Sequence, residues 1–439
     1  MALFVYNLVF ILALPLVYIR MQLKALKQPD YGKRWHERMA LVKLRVPADG
    51  VLFHVASLGE AIAASAVIQR FMQIHSDVAI TITCMTPTGS AYIQKTFGDR
   101  VHHCYLPYDI ALLQWWFLSR VRPRVVVLME TELWPNLLRC AKQRGIRTLL
   151  INGRLSARSA KGYAKVPAIT QGMLRDLDCI GAQFKSDAQR FTELGCDAKK
   201  LMVTGNVKFD VSLSPRQSEL NKALRDQWQL NRPVWLAAST HHGEERKILK
   251  AHQKLLEQIP NALLILVPRH PQRFDAITIQ CAEHFICEKK TAIRTAPNSD
   301  TQVLIGNTMG EMMQYMSLAD VVFMGGSLVE RGGHNPFEAA CQKKPIIAGK
   351  HVFNFEDSYR LLSEYNALIM LDGEKNLSTS VSSLLLQPSK RKQLGDNALL
   401  CQQASRGATV ETLKLIQQQY QIASQSASLL PVALANTAL

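Results

Sequence analysis

The chain has 439 residues, 48% of them hydrophobic and 20% charged, with a formal net charge of +17. That apolar content supplies buried cores for about two or three domains, and the basic excess implies an anionic partner: nucleic acid, a phospholipid surface or a phosphorylated substrate. The nine cysteines are odd in number, irregularly spaced and without a CxxC pair, which argues against a disulfide framework or a zinc site and for reduced thiols packed as small hydrophobes.

Residues 1–19 carry no charged side chain. At about 1.5 Å per residue they just reach across a hydrocarbon core of about 30 Å. Arg20, Lys24, Lys27, Lys33, Arg34, Arg38, Lys43 and Arg45 follow, against Asp30, Glu37 and Asp49, so the positive-inside rule puts the rest of the chain in the cytoplasm. A cleaved signal peptide needs a basic region before the apolar run and a small-residue cleavage site after it, and neither is present. Residues 1–20 are therefore expected to be an uncleaved anchor. Pro15 weakens a straight span and leaves a shallow interfacial helix open as the alternative.

Apolar runs then alternate with helical periodicity. Strands are predicted at Val51–Val55, Val78–Cys84, Arg124–Met129 and Arg147–Ile151, with a helix over Ala61–Ile74. The polar, proline-bearing stretch Asp210–Pro233 interrupts the pattern and is placed at a domain boundary. Alternation resumes with strands at Val234–Ala238, Ala262–Val267, Asp320–Gly325 and Pro345–Ala348, and a helix over Glu244–Gln258. Such alternation predicts two doubly wound α/β domains, residues 21–212 and 213–423, followed by an uncharged tail, 424–439. Ligands in such sheets bind beyond the carboxyl ends of the strands, and the cleft between the two domains is the expected site.

Several segments at those strand ends carry candidate chemistry. In His54–Glu60 (HVASLGE), Glu60 stands at a strand end and a helix start, as either a complement to the helix dipole or a general base. In Met129–Asn136 (METELWPN), Glu130 and Glu132 form an acid pair, with Pro135 suited to the first turn of a helix. Ser239 and Thr240 offer hydroxyls and amides at a helix start, which favours phosphate. His241 and His242 lack the partners of a metal site. Pro268, Arg269 and His270 follow the next strand, where Arg269 is placed to grip a phosphate or carboxylate. In Gly325–Glu338 (GGSLVERGGHNPFE), the glycine pairs allow close backbone approach. Asn335 and Pro336 have the form of a helix start, and Glu338 either closes a capping box or binds ribose hydroxyls. A nest of amides around Gly332 and Gly333 is expected to face a phosphate. The chain has no GxxxxGK[ST] loop, no GxGxxG fingerprint and no GxSxG elbow, against a P-loop, dinucleotide or hydrolase reading.

Together with Tyr31–Arg38 (YGKRWHER), Ile151–Ser156 (INGRLS), Thr204–Asp210 (TGNVKFD), Asn307–Glu311 (NTMGE) and His351–Asp357 (HVFNFED), these segments resemble the 3-deoxy-D-manno-octulosonic acid (Kdo) transferases of lipopolysaccharide synthesis over nearly the whole chain. The resemblance implies a GT-B fold of two Rossmann-like domains, the first for a lipid acceptor and the second for CMP-Kdo. It implies an inverting transfer to the 6′-hydroxyl of lipid IVA, without a metal or other cofactor. Glu60 would be the base, with Glu130 and Glu132 as the second acid motif. Arg269 would contact the CMP phosphate, Met309, Gly310 and Glu311 the cytosine, and Asn335 and Glu338 the ribose. Ser239, Thr240, Pro268, His270, Gly325, Gly326 and Ser327 complete the expected donor site. Lys350 departs from the family pattern, which has proline there.

Arg154, Arg158 and Lys161 are candidate contacts for acceptor phosphates or else solvated charge. Leu112–Leu118 is either an amphipathic core helix or a segment dipping into the bilayer. The expected partners are CMP-Kdo, lipid IVA and inner-membrane phospholipids. No nucleic-acid motif is present. A GT-B transferase using a UDP-sugar is the alternative reading.

Overall fold

The computed structural model describes residues 1–41 and 46–428. The apolar runs of the first half form β1 (Val51–Val55), β2 (Ile80–Cys84), β3 (His102–Tyr105), β4 (Val125–Met129), β5 (Arg147–Gly153), β6 (Cys179–Ala182) and β7 (Leu201–Val203). Their order is β3-β2-β1-β4-β5-β6-β7, and every pairing is parallel. Every residue of β1 and β4 is buried. This is why both read as continuous rather than alternating apolar runs: helices cover both faces of a parallel sheet. Phe53, Ile68 and Phe71 fill one face, and Leu52, Phe117 and Leu137 the other.

The second half repeats the plan with β8 (Val234–Thr240), β9 (Leu263–Pro268), β10 (Cys287–Lys289), β11 (Val303–Ile305), β12 (Val321–Met324), β13 (Ile346–Ala348) and β14 (Leu368–Met370). Here the order is β10-β11-β9-β8-β12-β13-β14, again parallel throughout. Strand order reverses between β1 and β4 in one sheet and between β8 and β12 in the other. Loops on the two sides of such a reversal diverge, which opens a crevice at the carboxyl edge.

The unit boundaries differ from the sequence expectation of 21–212, 213–423 and 424–439. One compact unit is Met1–Val207 together with the chain from Gly407 onward; the other is Lys208–Arg406. The helix Ala408–Ser428 belongs to the first unit because Leu413, Leu415 and Ile416 enter the core that holds Val51 and Phe53. Gln419 accepts from Arg147 Nε at 3.0 Å, and Tyr420 donates to the Asp49 carbonyl at 3.1 Å. The polar pause at 210–233 contains the helix Pro215–Trp228, started by Pro215 and capped by Ser214. Proline at a first helical position initiates rather than interrupts. Residues 429–439 of the expected tail, and Lys43 and Arg45 of the basic run, lie outside the described residues.

The N-terminal helix runs from Ala2 to Lys27. Its span Ala2–Leu26 has a mean hydropathy of 2.3 and is long and apolar enough to cross a membrane. One stripe, Phe10, Leu14, Val17 and Met21, packs on the first unit, at the spacing of one helix face. Tyr6 donates to Asp109 and Asn7 to Asn136, each at 3.1 Å. Phe4, Leu8, Ile11, Leu12, Leu16, Ile19 and Leu23 are exposed, as are Leu112, Trp115 and Trp116 on the helix Ala111–Val121. The other face of that helix, with Leu113, Phe117 and Leu118, is core.

Candidate active site

In the first unit, β1 ends at Val55 and Ser57 caps the helix Leu58–Ile74, which starts three residues earlier than the sequence suggests. Glu60 therefore sits in the first turn. Its carboxylate accepts from the Ala56 amide at 2.8 Å and the Ser57 hydroxyl at 3.1 Å. These contacts hold the side chain over the end of β1. Burial raises its pKa, the Ala56 amide opposes the rise, and the charges of Glu130 and Glu132 add to it, leaving it at about 7. A carboxylate poised there is matched to proton abstraction near neutrality.

Glu130 and Glu132 follow β4, the strand beside β1. Glu130 adopts a left-handed backbone (φ 56°), a strained conformation for a non-glycine residue that recurs at functional turns. Glu132 Oε2 accepts from Trp134 Nε1 at 3.0 Å and lies 3.6 Å from Nε2 of the fully buried His54. Arg154 follows β5 at the same sheet edge, whereas Arg158 and Lys161 are exposed on the next helix, Ala157–Ala164. The first unit thus gathers Glu60, Glu130, Glu132 and Arg154 at one strand edge and leaves Arg158 and Lys161 outside it. The conspicuous basic segment Tyr31–Arg38 turns inward: Arg34 pairs with Glu37 at 2.6 Å, and the Arg38 guanidinium lies 4.1 Å from the Tyr105 ring centre.

In the second unit, Ser239 also has a left-handed backbone (φ 56°), at an irregularity in the β8–β9 pairing. Thr240 is buried and donates to Glu245 at 3.0 Å, and Arg273 bonds the same carboxylate oxygen. Gly325 abuts the end of β8. A Cβ there would meet the Ala238 and Ser239 carbonyl oxygens at 2.6 Å, so only glycine fits. The fully buried Glu244 accepts from the amides of His241 (3.2 Å), Gly326 (2.7 Å), Ser327 (3.2 Å) and Leu328 (3.0 Å). Its carboxylate fills the glycine-rich turn as an anion would.

Part of the expected donor site is thus engaged within the unit itself. The amides of Gly326 and Ser327 are bonded by Glu244. The buried Ser327 hydroxyl donates to the Met324 carbonyl and accepts from Gly349 N at 2.8 Å. The Gly325 amide bonds the Ala238 carbonyl at 2.8 Å and that of Gly333 bonds Gly326 at 3.0 Å, so the nest expected at Gly332 and Gly333 is closed at Gly333. Gly325, Gly326 and Ser327 shape the edge by close packing of backbone, and other groups face outward.

Those other groups are Arg269 and His270, exposed beyond Pro268 at the end of β9, and Met309 and Gly310, exposed before the helix Met312–Leu318. Among the described residues Arg269 makes no ion pair within 4.0 Å; its charge opposes the burial that raises the Glu338 carboxyl. Glu311 is held by hydroxyls of Thr308 and Tyr315. Asn335 accepts from Phe337 N and donates to the Lys208 carbonyl, both at 3.1 Å. The helix Phe337–Ala340 that follows has Pro336 at its N-cap, not Asn335 as the sequence suggests, and Asn335 bonds the amide two residues on from just outside the helix. His241 and His334 meet Nε2 to Nε2 at 3.0 Å, with the His270 ring centre 5.4 Å from that of His241. Burial and the neighbouring cations depress all three imidazoles. Among the described residues no cluster of three or more His, Cys, Asp or Glu side chains is arranged to hold a metal.

Sequence reasoning missed His54, Glu244, Glu245 with Arg273, and His334. The available signal for Glu244 was its place at the start of an amphipathic helix straight after a buried strand.

Two Rossmann-like units with acids at one switch point and a glycine-rich turn at the other form a GT-B architecture. Solved proteins of low identity share it: a glycosyltransferase from Rickettsia africae is 14% identical with a TM-score of 0.54, covering 86% of this chain and 99% of that one. A UDP-GlcNAc 2-epimerase from Neisseria meningitidis is 16% identical with a TM-score of 0.58, covering 85% and 100%. A family profile described as 3-deoxy-D-manno-octulosonic-acid transferase (kdotransferase) matches residues 33–211. The 3-deoxy-D-manno-octulosonic acid transferase of Haemophilus influenzae is 38% identical over 416 residues, 94% of this chain and 97% of that one. That of Bordetella pertussis is 33% identical over 421 residues, covering 92% and 96%. The chain belongs to the 3-deoxy-D-manno-octulosonic acid transferase family and is a glycosyltransferase.

Proposed function

We propose that the protein transfers Kdo from CMP-Kdo to the 6′-hydroxyl of lipid IVA, with inversion at the anomeric carbon and without a metal. The observation that carries this reading is Glu60, a half-buried carboxylate with its pKa raised to about 7 beside two further acids. A sugar hydroxyl is a poor nucleophile. Glu60 takes its proton as the oxygen bonds to the anomeric carbon, the bond from that carbon to the CMP phosphate breaks, and CMP leaves with the electron pair. Attack opposite the departing phosphate inverts the centre. Arg269, exposed and without an ion pair among the described residues, stabilises the charge that develops on that phosphate. Met309, Gly310 and Glu311 then meet the cytosine, and Asn335 and Glu338 the ribose. Arg154, with Arg158 and Lys161 farther out, meets the acceptor phosphates.

The apolar outer face of the helix Ala2–Lys27 and the exposed Leu112, Trp115 and Trp116 seat the first unit on the cytoplasmic face of the inner membrane, where an acylated acceptor resides. Packing of Phe10, Leu14, Val17 and Met21 on the unit favours a helix lying in the interface over one crossing the bilayer alone. The functional test is mass spectrometry of products from CMP-Kdo and lipid IVA with the detergent-solubilised full chain. The expected product is Kdo-bearing lipid with release of CMP. Consumption of a UDP-sugar alone would replace the proposal with another GT-B transferase activity. In the same preparation Arg269→Ala is expected to weaken CMP binding about 10-fold or more, the loss of a charge-assisted contact. An unchanged affinity by calorimetry would remove Arg269 from the phosphate site.

A further inference from the structure

The polar side chains of residues 1–19 are Tyr6, Asn7 and Tyr18. Asn7 is the one amide in that apolar run, and a helix facing lipid keeps such a group where it has a partner. Tyr6 and Asn7 both turn inward, onto the start of the helix Pro135–Gln143. That helix has no cap of its own, since Trp134 stands at its N-cap without a side-chain bond. The cap comes instead from Asp109: its Oδ2 accepts from Asn136 N and its Oδ1 from Leu137 N, both at 2.9 Å. Tyr6 Oη donates to the same Oδ2 at 3.1 Å. Asn136 Nδ2 donates to the Asp109 carbonyl at 2.6 Å, and the Asn136 and Asn7 amides bond each other in both directions at 3.2 and 3.1 Å. Asn7 Oδ1 also accepts from Ala111 N at 3.1 Å, and its Nδ2 donates to the Leu3 carbonyl at 2.8 Å. A backbone N–H only donates and a carbonyl only accepts, so these partners fix which end of each amide is oxygen.

Residues 130–134, which carry the acid pair, bridge the end of β4 and this helix start. The buried strand fixes one end of the loop. Asp109 and Asn136, both buried, fix the other, and Tyr6 and Asn7 hold them in turn. Trp134, the last residue before Pro135, donates its indole N–H to Glu132 at 3.0 Å, so the helix start and the acid move together. We propose that Tyr6 and Asn7 are positioning residues for Glu130 and Glu132: the docked N-terminal helix sets the acid loop beside Glu60 and is a structural part of the catalytic unit as well as its membrane contact. This rests on the proposed role of those acids and adds the residues that place them. An anchor alone would need only its apolar face. Without Tyr6 and Asn7 the buried Asp109 and Asn136 lose partners, and the helix start shifts to regain them. A misplacement of about 1 Å in an active site can cost about 10²-fold in rate.

The test uses the full chain in detergent with 15N-labelled tryptophan. Asn7→Leu removes the amide and keeps the helix apolar, and Tyr6→Phe removes one hydroxyl. Both should lower kcat, Asn7→Leu by about 10-fold or more and Tyr6→Phe by less. CMP affinity by calorimetry, and flotation with mixed phosphatidylethanolamine and phosphatidylglycerol vesicles, should stay at wild-type levels. The Trp134 indole signal reports the bond to Glu132 and should move in both variants, whereas that of Trp235, buried in the second unit, should not. Tyr18→Phe takes a hydroxyl from the same helix, where the ring packs on Trp35, and should match wild type throughout. Wild-type kcat with an unmoved Trp134 signal in Asn7→Leu would overturn the proposal. So would activity lost in step with vesicle binding while the Trp134 signal holds, since the helix would then only anchor. Should Asn7→Leu not fold, Tyr6→Phe decides by the same signal. If instead Glu60→Gln keeps full turnover, the catalytic reading fails, while the Trp134 signal still decides whether the helix sets the loop.

Discussion

Replacing Glu60 with glutamine is expected to lower transfer by about 10²- to 10⁴-fold while the fold and CMP affinity stay at wild-type levels. The amide is close in shape to the carboxylate. Its carbonyl can keep the contact with the Ala56 amide that holds Glu60 at 2.8 Å, and the Ser57 hydroxyl can turn to suit it. What the amide cannot do is accept the proton of an attacking hydroxyl. Residues proposed to hold the nucleotide, Arg269, Asn335 and Glu338, all belong to the other unit, so calorimetry with CMP should show no change. Near-normal turnover of this variant would remove Glu60 from the mechanism.

Glu244→Ala is expected to be the most damaging single change to the second unit. The carboxylate satisfies four backbone amides, those of His241, Gly326, Ser327 and Leu328, and is itself fully buried. Each amide left without an acceptor costs about 1–3 kcal/mol, not fully additively. A total loss of roughly 3–5 kcal/mol is a large part of a typical domain stability of about 5–15 kcal/mol. The glycine-rich turn between β12 and the short helix Phe337–Ala340 would lose its anchor, and CMP binding should fall with it. Glu244→Gln keeps one acceptor oxygen but sets an NH2 group against the amides, so its effect should be intermediate. Urea denaturation and CMP calorimetry on the three proteins check this ordering. An unchanged midpoint and affinity in Glu244→Ala would show that water or a neighbouring group replaces the carboxylate.

The strands that carry the site were legible because of what they bury. β1, β4, β8 and β9 lie in the middle of their sheets with both faces covered, so their sequences are mostly apolar runs, with His54 the one polar residue inside β1 and Ser239-Thr240 closing β8, followed by glycine or polar turns. The acids Glu60, Glu130 and Glu132 could be placed at strand ends from that pattern alone. Edge and near-edge strands were not legible. β3 begins with two histidines, β10 is Cys-Glu-Lys, and β7 and β14 have three residues each, half or fully exposed. None holds enough apolar residues in a row to stand out. The return of Ala408–Ser428 to the first unit was hidden for another reason: its periodic apolar face shows that it packs, not on which sheet.

The partners within the site were harder still. Glu244 bonds amides more than eighty positions away in the chain, at Gly326 and Leu328, a partnership that no local pattern around the glycine pairs discloses. His54 reads as one polar residue in a buried strand until Thr83 and Glu132 are brought to either side of its ring. Local patterns showed where chemistry could sit, and the fold decided which groups were already satisfied.

The most direct test of the account is the pH dependence of kcat/KM for Kdo transfer in the wild-type protein and in Glu60→Gln. Burial and the neighbouring acids hold the Glu60 carboxyl near 7, so the ionised base is present above that pH and disappears as pH falls through it. The wild-type profile should therefore show an acid limb near pH 7, and the residual activity of Glu60→Gln should lack it. The same limb in both proteins would assign the base to another group and contradict the central claim.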